Sequence, residues 1–242
     1  MVNYKGLDGI DKSYDPYFGV AKLDEELKGI PSKKLVLIAA SPSVGNEVFG
    51  YQIINKNINS DVKTLVFLNR TSPQSYMEDM KEYDLPSSDK MFIMDAYSDI
   101  TGIKANETDH IFAISNPYDK NELKTKLLSE LDKGYGLLVM DSLSLLIDFF
   151  DFEFVDSLVS DIKDAVQKNN SAAVFLFTNW GYDKEGSMKK NELLHTDYKK
   201  IKHGFNKNNI LIPLITSSLV IVLLIFILHE VNFDIREISG AS

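Results

Sequence analysis

The stretch LIAASPSVGNEVF, Leu37–Phe49, joins a strand-like run to a helix-like run through a loop of small residues. The apolar run before the loop, residues 34–40, lacks the alternation of a half-exposed strand, as expected of a strand that is covered on both faces. From Gly45 onwards the sequence continues in a helical pattern. The stretch therefore predicts a buried strand, a tight loop and a helix, which together form the repeating unit of α/β folds.

Similar units recur along the chain. Polar segments with helix signals separate further apolar runs; in one of them Asp119 lies three residues before Glu122, and the segment ends at Gly134. Repeated β-α units favour an open, doubly wound, mostly parallel sheet with helices on both faces. We expect one α/β domain over residues 1–205. Its further predicted strands are residues 63–69, 90–96, 110–115, 136–141 and 172–178.

The loop has the position of a phosphate-binding loop but not its residues. The working pattern is G-x-x-x-x-G-K-[ST], in which backbone amides and the lysine hold the phosphates and the hydroxyl holds Mg²⁺. In that register Ala40 replaces the first glycine and Gly45 is the second. Asn46 replaces the lysine, and Glu47 replaces the hydroxyl. A positive charge is lost, and a negative charge is placed where the anion would bind.

This change of charge decides against tight nucleotide binding. Two like unit charges about 4 Å apart repel by roughly 4 kcal/mol at an effective dielectric constant of 20. We therefore expect no cofactor and no hydrolysis, with ATP and Mg²⁺ as the alternative. The disabled nucleotide site is predicted to consist of Ser41, Ser43, Gly45, Asn46, Glu47 and Asp141.

Two other strand ends belong to the same site, because ligands of open α/β sheets bind where the strands end. The second strand is followed by Asn69, Arg70 and Thr71, which include no carboxylate that could act as a general base. Asp141 follows a buried strand, where an acid would orient Mg²⁺ through water. The alternative, which we favour, is that Asp141 and Ser142 cap the next helix. No catalytic residue is predicted.

The segment 210–228, ILIPLITSSLVIVLLIFIL, contains no charged residue. A helix of that length spans roughly 30 Å, the thickness of the hydrocarbon core of a bilayer. Lysines precede the segment and carboxylates follow it, so the positive-inside rule puts the bulk of the chain in the cytoplasm. We expect a single-pass anchor in the cell membrane within residues 206–242. The alternative is a pair of buried strands, since β-branched residues are frequent in the segment.

Composition argues against several classes of function. The net charge of -9 speaks against a surface for nucleic acid. The chain has no cysteine, and its four histidines lack the spacing of metal ligands, so no disulfide and no metal site are expected. Only Arg70 and Arg236 are arginines, which counts against phosphoryl transfer because arginine is the preferred clamp for phosphate.

Three stretches, in this order along the chain, resemble KaiC-like ATPases of the RecA superfamily. They are LDEELKGIPSKKLVLIAASPSVG, DKMFIMDAYSDITG and GYGLLVMDSLSLLIDFF. The resemblance covers roughly residues 20–180 and implies a RecA-like, P-loop-type fold, ATP binding and ring-shaped oligomers. The family's lysine and hydroxyl fall on Asn46 and Glu47, and its catalytic glutamates fall near Asn69 and Arg70. Only its Walker B acid is retained, as Asp141, so the chain resembles an inactivated member of archaeal type.

Together these features favour a catalytically inactive, membrane-anchored pseudo-ATPase that acts in signalling or as a scaffold. Its expected partners are proteins at the cytoplasmic face of the membrane. One alternative is an ATP-binding ATPase or kinase that uses Lys33, Lys34 or a lysine of a neighbouring subunit. Another is a homo-oligomer with a structural role. A candidate contact surface consists of Trp180 and the cluster Phe149, Phe150, Phe152 and Phe154, although packing in the core would also explain these aromatic residues.

Overall fold

Seven strands make up one sheet in the computed structural model, which describes residues 16–42, 45–85, 88–103, 106–178 and 224–227. In chain order they are β1 (Leu35–Ala40), β2 (Thr64–Leu68), β3 (Met91–Asp95), β4 (Ile111–Ala113), β5 (Leu137–Asp141), β6 (Ala172–Thr178) and β7 (Leu224–Ile227). Across the sheet the order is β4-β3-β2-β5-β6-β1-β7. Neighbours among β1 to β6 run parallel, whereas β7 runs antiparallel to β1.

Helices connect the strands, and short polar side chains fix where several of them begin. They are α1 (Ala21–Leu27), α2 (Asn46–Ile58), α3 (Pro73–Glu82), α4 (Lys120–Leu131), α5 (Leu143–Phe149) and α6 (Phe152–Lys168), with a 3₁₀ helix at Ser98–Thr101. The side chains of Ser72, Asp119 and Asp151 accept hydrogen bonds from backbone amides in the first turns of α3, α4 and α6. Such caps satisfy amides that have no partner within the helix.

The sheet is covered on both faces, because successive side chains of a strand point to opposite sides. In β5, Leu138 and Met140 join a core cluster with the buried faces of α4, α5 and α6. Leu137 and Val139 point the other way, into a second cluster formed with α1, α2 and α3. Burial on both faces explains why the strand sequences are continuously apolar.

The predicted α/β fold is confirmed for its mostly parallel sheet and its helices. Each of the six apolar runs forms a strand, with bounds that lie inside the predicted ones or match them at one or both ends. The helix that was expected to follow Asp119 begins at Lys120, and Gly134 adopts a φ of 80° shortly after that helix ends. The predicted end of the domain at residue 205 lies outside the described residues.

The predicted membrane segment, residues 210–228, is described only at Leu224–Ile227. There the backbone forms β7, which pairs with β1 from Val36 to Ala39. For these four residues the structure has the strand that was the alternative to a helix. Among the described parts of the chain, no helix is long and apolar enough to cross a membrane.

Candidate functional site

The carboxyl ends of the parallel strands meet at one edge of the sheet, which we call the carboxyl edge. Strand pairing places Ala40 beside Thr178, and Leu176 beside Asp141. On its other side Asp141 pairs with Leu68, the last residue of β2. The loop after β1, the end of β6, the end of β5 and the residues after β2 therefore follow one another along this edge.

The loop between β1 and α2 retains the backbone turn that opens the helix. Gly45 is the N-cap of α2 and has a φ of 79°, a left-handed conformation that glycine adopts without steric cost. Ser41 is exposed at the start of the loop. Ser43, another predicted member of the site, lies outside the described residues.

Asn46 and Glu47 occupy the first turn of α2. The side-chain amide of Asn46 donates a hydrogen bond to Oγ1 of Thr178 over 3.1 Å, which ties the start of α2 to the end of β6. Glu47 is half-buried in the same turn. The group in the lysine's place is thus neutral and bonded to the protein itself, and its neighbour carries a carboxylate.

The carboxylate of Asp141 is bound on both oxygens by Arg70. Arg70 Nε donates to Oδ1 over 3.2 Å, and Nη2 donates to Oδ2 over 3.1 Å. The Asp141 side chain is 3% exposed and the Arg70 side chain is 38% exposed. Asp141 is therefore shielded from solvent, whereas Arg70 is partly in contact with it. The expectation that Asp141 caps the following helix is wrong, because its carboxylate is occupied by the guanidinium. Ser142 is the cap, with Oγ accepting from the amide of Leu145.

The side chain of Asn69 binds the backbone of Ser142, the residue that follows Asp141. Its Oδ1 accepts from the amide of Ser142 over 2.6 Å, and its Nδ2 donates to the carbonyl of Ser142 over 3.0 Å. The Ser142 hydroxyl lies 3.0 Å from that of Ser144, which in turn accepts from the amide of Thr178. Through Thr178 and its bond to Asn46, hydrogen bonds join all four strand ends of the site.

Arg70 supplies the positive charge in a cluster of acidic groups. Burial works to lower the pKa of Arg70, but the hydrogen bonds and the charge of Asp141 raise it above its ordinary value, with smaller contributions from Tyr51 and Glu47. Burial and the nearby charge of Asp79 raise the pKa of Tyr51, whose hydroxyl donates to Asp79 over 3.3 Å. The guanidinium therefore stays charged throughout the physiological pH range.

Lys33 and Lys34 lie too far away to replace the missing lysine within one chain. They precede β1, and the carbonyl of Lys34 accepts from the amide of Ala173 at the amino end of β6. The six residues of β1 separate them from the phosphate loop by roughly 20 Å. Neither lysine can therefore reach a ligand at this loop within its own chain, and the ATPase or kinase alternative stays a prediction. Within the described ranges, no group of three or more His, Cys, Asp or Glu side chains could hold a metal ion.

The structure brings together the predicted residues Gly45, Asn46, Glu47 and Asp141, and it adds two that were not predicted. Asn69 and Arg70 were noted only for the carboxylates that they lack, yet they hold Ser142 and Asp141. One signal was present in the sequence: Arg70 is one of only two arginines and directly follows a strand that ends at the edge where Asp141 was expected.

No known protein family and no curated protein matches this chain. Among solved structures the chain is similar to an uncharacterized protein from Pyrococcus horikoshii, which was crystallised in complex with an unknown peptide. The two share 14% sequence identity with a TM-score of 0.58, over 73% of this chain and 80% of that one. At this identity the similarity shows a shared fold and nothing further.

Proposed function

We propose that this protein is a catalytically inactive RecA/KaiC-like pseudo-ATPase that works through protein contacts as a membrane-anchored regulatory or scaffolding module. The observation that carries the proposal is the bidentate pairing of Arg70 with Asp141. Asp141 is the one acid that the resemblance assigns to Mg²⁺. Both of its carboxylate oxygens already accept hydrogen bonds from the charged guanidinium of Arg70.

The residues at the carboxyl edge do not fit ATP with Mg²⁺. The cation-binding acid is engaged by Arg70, and the place of the phosphate-binding lysine is taken by Asn46, which is bonded to Thr178. Glu47 adds a negative charge at the N-terminus of α2, where an anion would otherwise be stabilised by the helix dipole. Each of the three changes acts against the same ligand, which supports a role without nucleotide.

Hydrolysis of ATP tests the catalytic part of the proposal. We expect the full chain in neutral detergent to release phosphate no faster than about 10⁻⁴ s⁻¹, slower than an unassisted GTPase. The Asp141→Asn variant is the control, because contaminating ATPases would be unaffected by it. A magnesium-dependent rate above this level that disappears in Asp141→Asn would instead support the alternative of an ATPase or kinase with an unconventional loop.

The membrane anchor is supported by the uncharged segment 210–228 and by the lysines before it. We expect the full chain, expressed in bacteria, to remain in the membrane pellet after an alkaline carbonate wash. Ile221→Asp places a charge at the centre of the segment and should shift the protein towards the supernatant, because a central carboxylate costs roughly 3 kcal/mol on insertion. Recovery of the parent chain as folded protein in the supernatant would favour the strand pairing of β7.

The proposal needs protein partners rather than nucleic acid, in keeping with a net charge of -9. A second copy of the chain is the alternative partner, because the resemblance implies ring-shaped oligomers.

A further inference from the structure

An aromatic surface lies at the carboxyl edge of the sheet. We use this name for Tyr118, Phe149, Phe150 and Phe154, of which the first two are exposed and the last two half-buried. Tyr118 is 51% exposed and Phe149 is 45% exposed, and their rings meet edge to face with centroids 5.6 Å apart. Exposed apolar side chains that cluster, unlike single ones, mark sites of interaction, and aromatic rings are enriched where binding energy concentrates.

Three elements present this surface, so its shape is fixed by the fold rather than by one loop. Tyr118 precedes α4, Phe149 ends α5, and Phe154 lies in the first turn of α6, 4.8 Å from Phe150 between ring centroids. A small cleft between the rings continues inwards to Asn69. The cleft has room for no more than about one water molecule, so a ligand would rest on the rings without reaching Asn69.

Carboxylates are interleaved with the rings. The stretch 147–154, IDFFDFEF, contains Asp148, Asp151 and Glu153 and no cation, and all three side chains are exposed. Lys120 offsets one of these charges by pairing with Asp151, so the surface combines apolar rings with a net negative charge. A complementary ligand combines apolar side chains with positive charge.

One cation of the chain itself, the ammonium of Lys120, is bound at this surface. Its ammonium pairs with the carboxylate of Asp151 and lies 5.5 Å from the centroid of the Phe154 ring. The cation is thus shared between a carboxylate and an aromatic face, an arrangement that suits lysine and arginine. The exposed rings of Tyr118 and Phe149 offer further aromatic faces to a cation.

We propose that the aromatic surface binds a segment of a partner protein in which lysine or arginine alternates with apolar residues. Anionic lipid surfaces and nucleic acids are disfavoured, because both would be repelled by the carboxylates. The inference rests on the proposed function for its claim that contact, not catalysis, is the role of this edge, and it specifies the partner's chemistry.

The test uses the full chain in neutral detergent and a defined probe. The probe is a capped, fluorescein-labelled dodecapeptide in which lysine and arginine alternate with leucine and glycine. Fluorescence anisotropy should show saturable binding with a Kd on the order of 10 μM in 50 mM salt, weakening about tenfold at 300 mM as the charges are screened. A matched peptide with glutamate at every cationic position should not bind.

Variants assign the binding to the surface. Phe149→Ala should weaken the peptide at least tenfold, as loss of a central aromatic contact does. Glu153→Gln should weaken it about twofold and reduce its salt dependence. Tyr83→Ala is the matched control. Tyr83 is as exposed as Tyr118, at 51%, but it lies at the end of α3 and outside the aromatic surface. Tyr118→Ala serves as a second test of the surface if Phe149→Ala lowers the melting temperature.

Several results would overturn the proposal. They are absence of peptide binding by the parent up to about 1 mM, equal binding by the parent and both aromatic variants, and binding of the glutamate peptide. Preference for vesicles of anionic lipid would assign the surface to a membrane, and self-association that depends on Phe149 would assign it to a second copy. Binding of ATP would contradict the proposed function and leave this result untouched, so the two can fail separately.

Discussion

Replacing Arg70 with alanine should lower the free energy of unfolding by about 2–4 kcal/mol, measured by urea denaturation of the full chain in detergent. Removing one partner of a buried ion pair typically costs about 3–5 kcal/mol, because the remaining charge has no compensation. Asp141 is 3% exposed and would be left in that state. The lower value allows for Arg70, which at 38% exposure brings part of its charge into contact with water.

Two controls separate this effect from simple loss of a surface charge. In Arg70→Met with Asp141→Leu, both charges are replaced by apolar groups, and most of the lost stability should return. Lys90→Ala removes the ammonium that pairs with the exposed Asp61 over 2.8 Å, and no measurable change is expected. If Arg70→Ala unfolds at the same urea concentration as the parent, Asp141 is not held by Arg70.

The second large effect should come from repairing the nucleotide site. Asn46→Lys, Glu47→Thr and Arg70→Gln together restore the lysine and the hydroxyl and free the carboxylate of Asp141. They also remove a repulsion of roughly 4 kcal/mol between Glu47 and an anion about 4 Å away. At a concentration of ATP·Mg²⁺ about one hundred times its Kd, the melting temperature of this variant should rise by about 5–10 °C.

The contribution of Arg70 is measured by leaving it in place. The variant with only Asn46→Lys and Glu47→Thr should show less than half of that rise, because Asp141 still binds the guanidinium and not Mg²⁺. The parent should show no rise. If the two repaired variants respond equally, Arg70 is no barrier to the cation. If neither responds, the loop around Gly45 no longer has the shape of a phosphate site.

The central strands of the sheet could be predicted because they are buried on both faces and are therefore almost wholly apolar. Leu137–Asp141 and Thr64–Leu68 are examples in which every residue is buried. The starts of helices could also be predicted where a capping side chain such as that of Asp119 bonds to amides within four residues of itself. Local interactions and burial, which a sequence displays directly, decide these features.

The pairing of Arg70 with Asp141 could not be read in this way, because the two residues are 71 positions apart. Their contact depends on β2 and β5 being neighbours, which follows from the strand order and not from any local pattern. The bond from Asn46 to Thr178, 132 positions away, depends in the same way on β1 lying next to β6. The sequence showed which residues of a nucleotide site are missing, and the topology determines which residues pair at that edge of the sheet.

Residues 224–227 show a different limit. An apolar run rich in β-branched residues is compatible with a membrane helix and with a buried strand, since hydropathy measures burial and not the kind of structure. The antiparallel pairing of β7 with β1 is a contact between distant parts of the chain. No pattern inside the segment specifies such a contact. The carbonate wash described above distinguishes a membrane helix from a strand paired with β1.

Binding of ATP·Mg²⁺ to the unmodified full chain, measured by titration calorimetry in neutral detergent, tests the central claim most directly. We expect heats equal to those of dilution up to about 1 mM ATP, because Arg70 holds Asp141 and Asn46 stands where a phosphate-binding lysine would be. Saturable binding of one ATP per chain at micromolar concentration, lost when Mg²⁺ is removed or when Asp141 is replaced by asparagine, would contradict it.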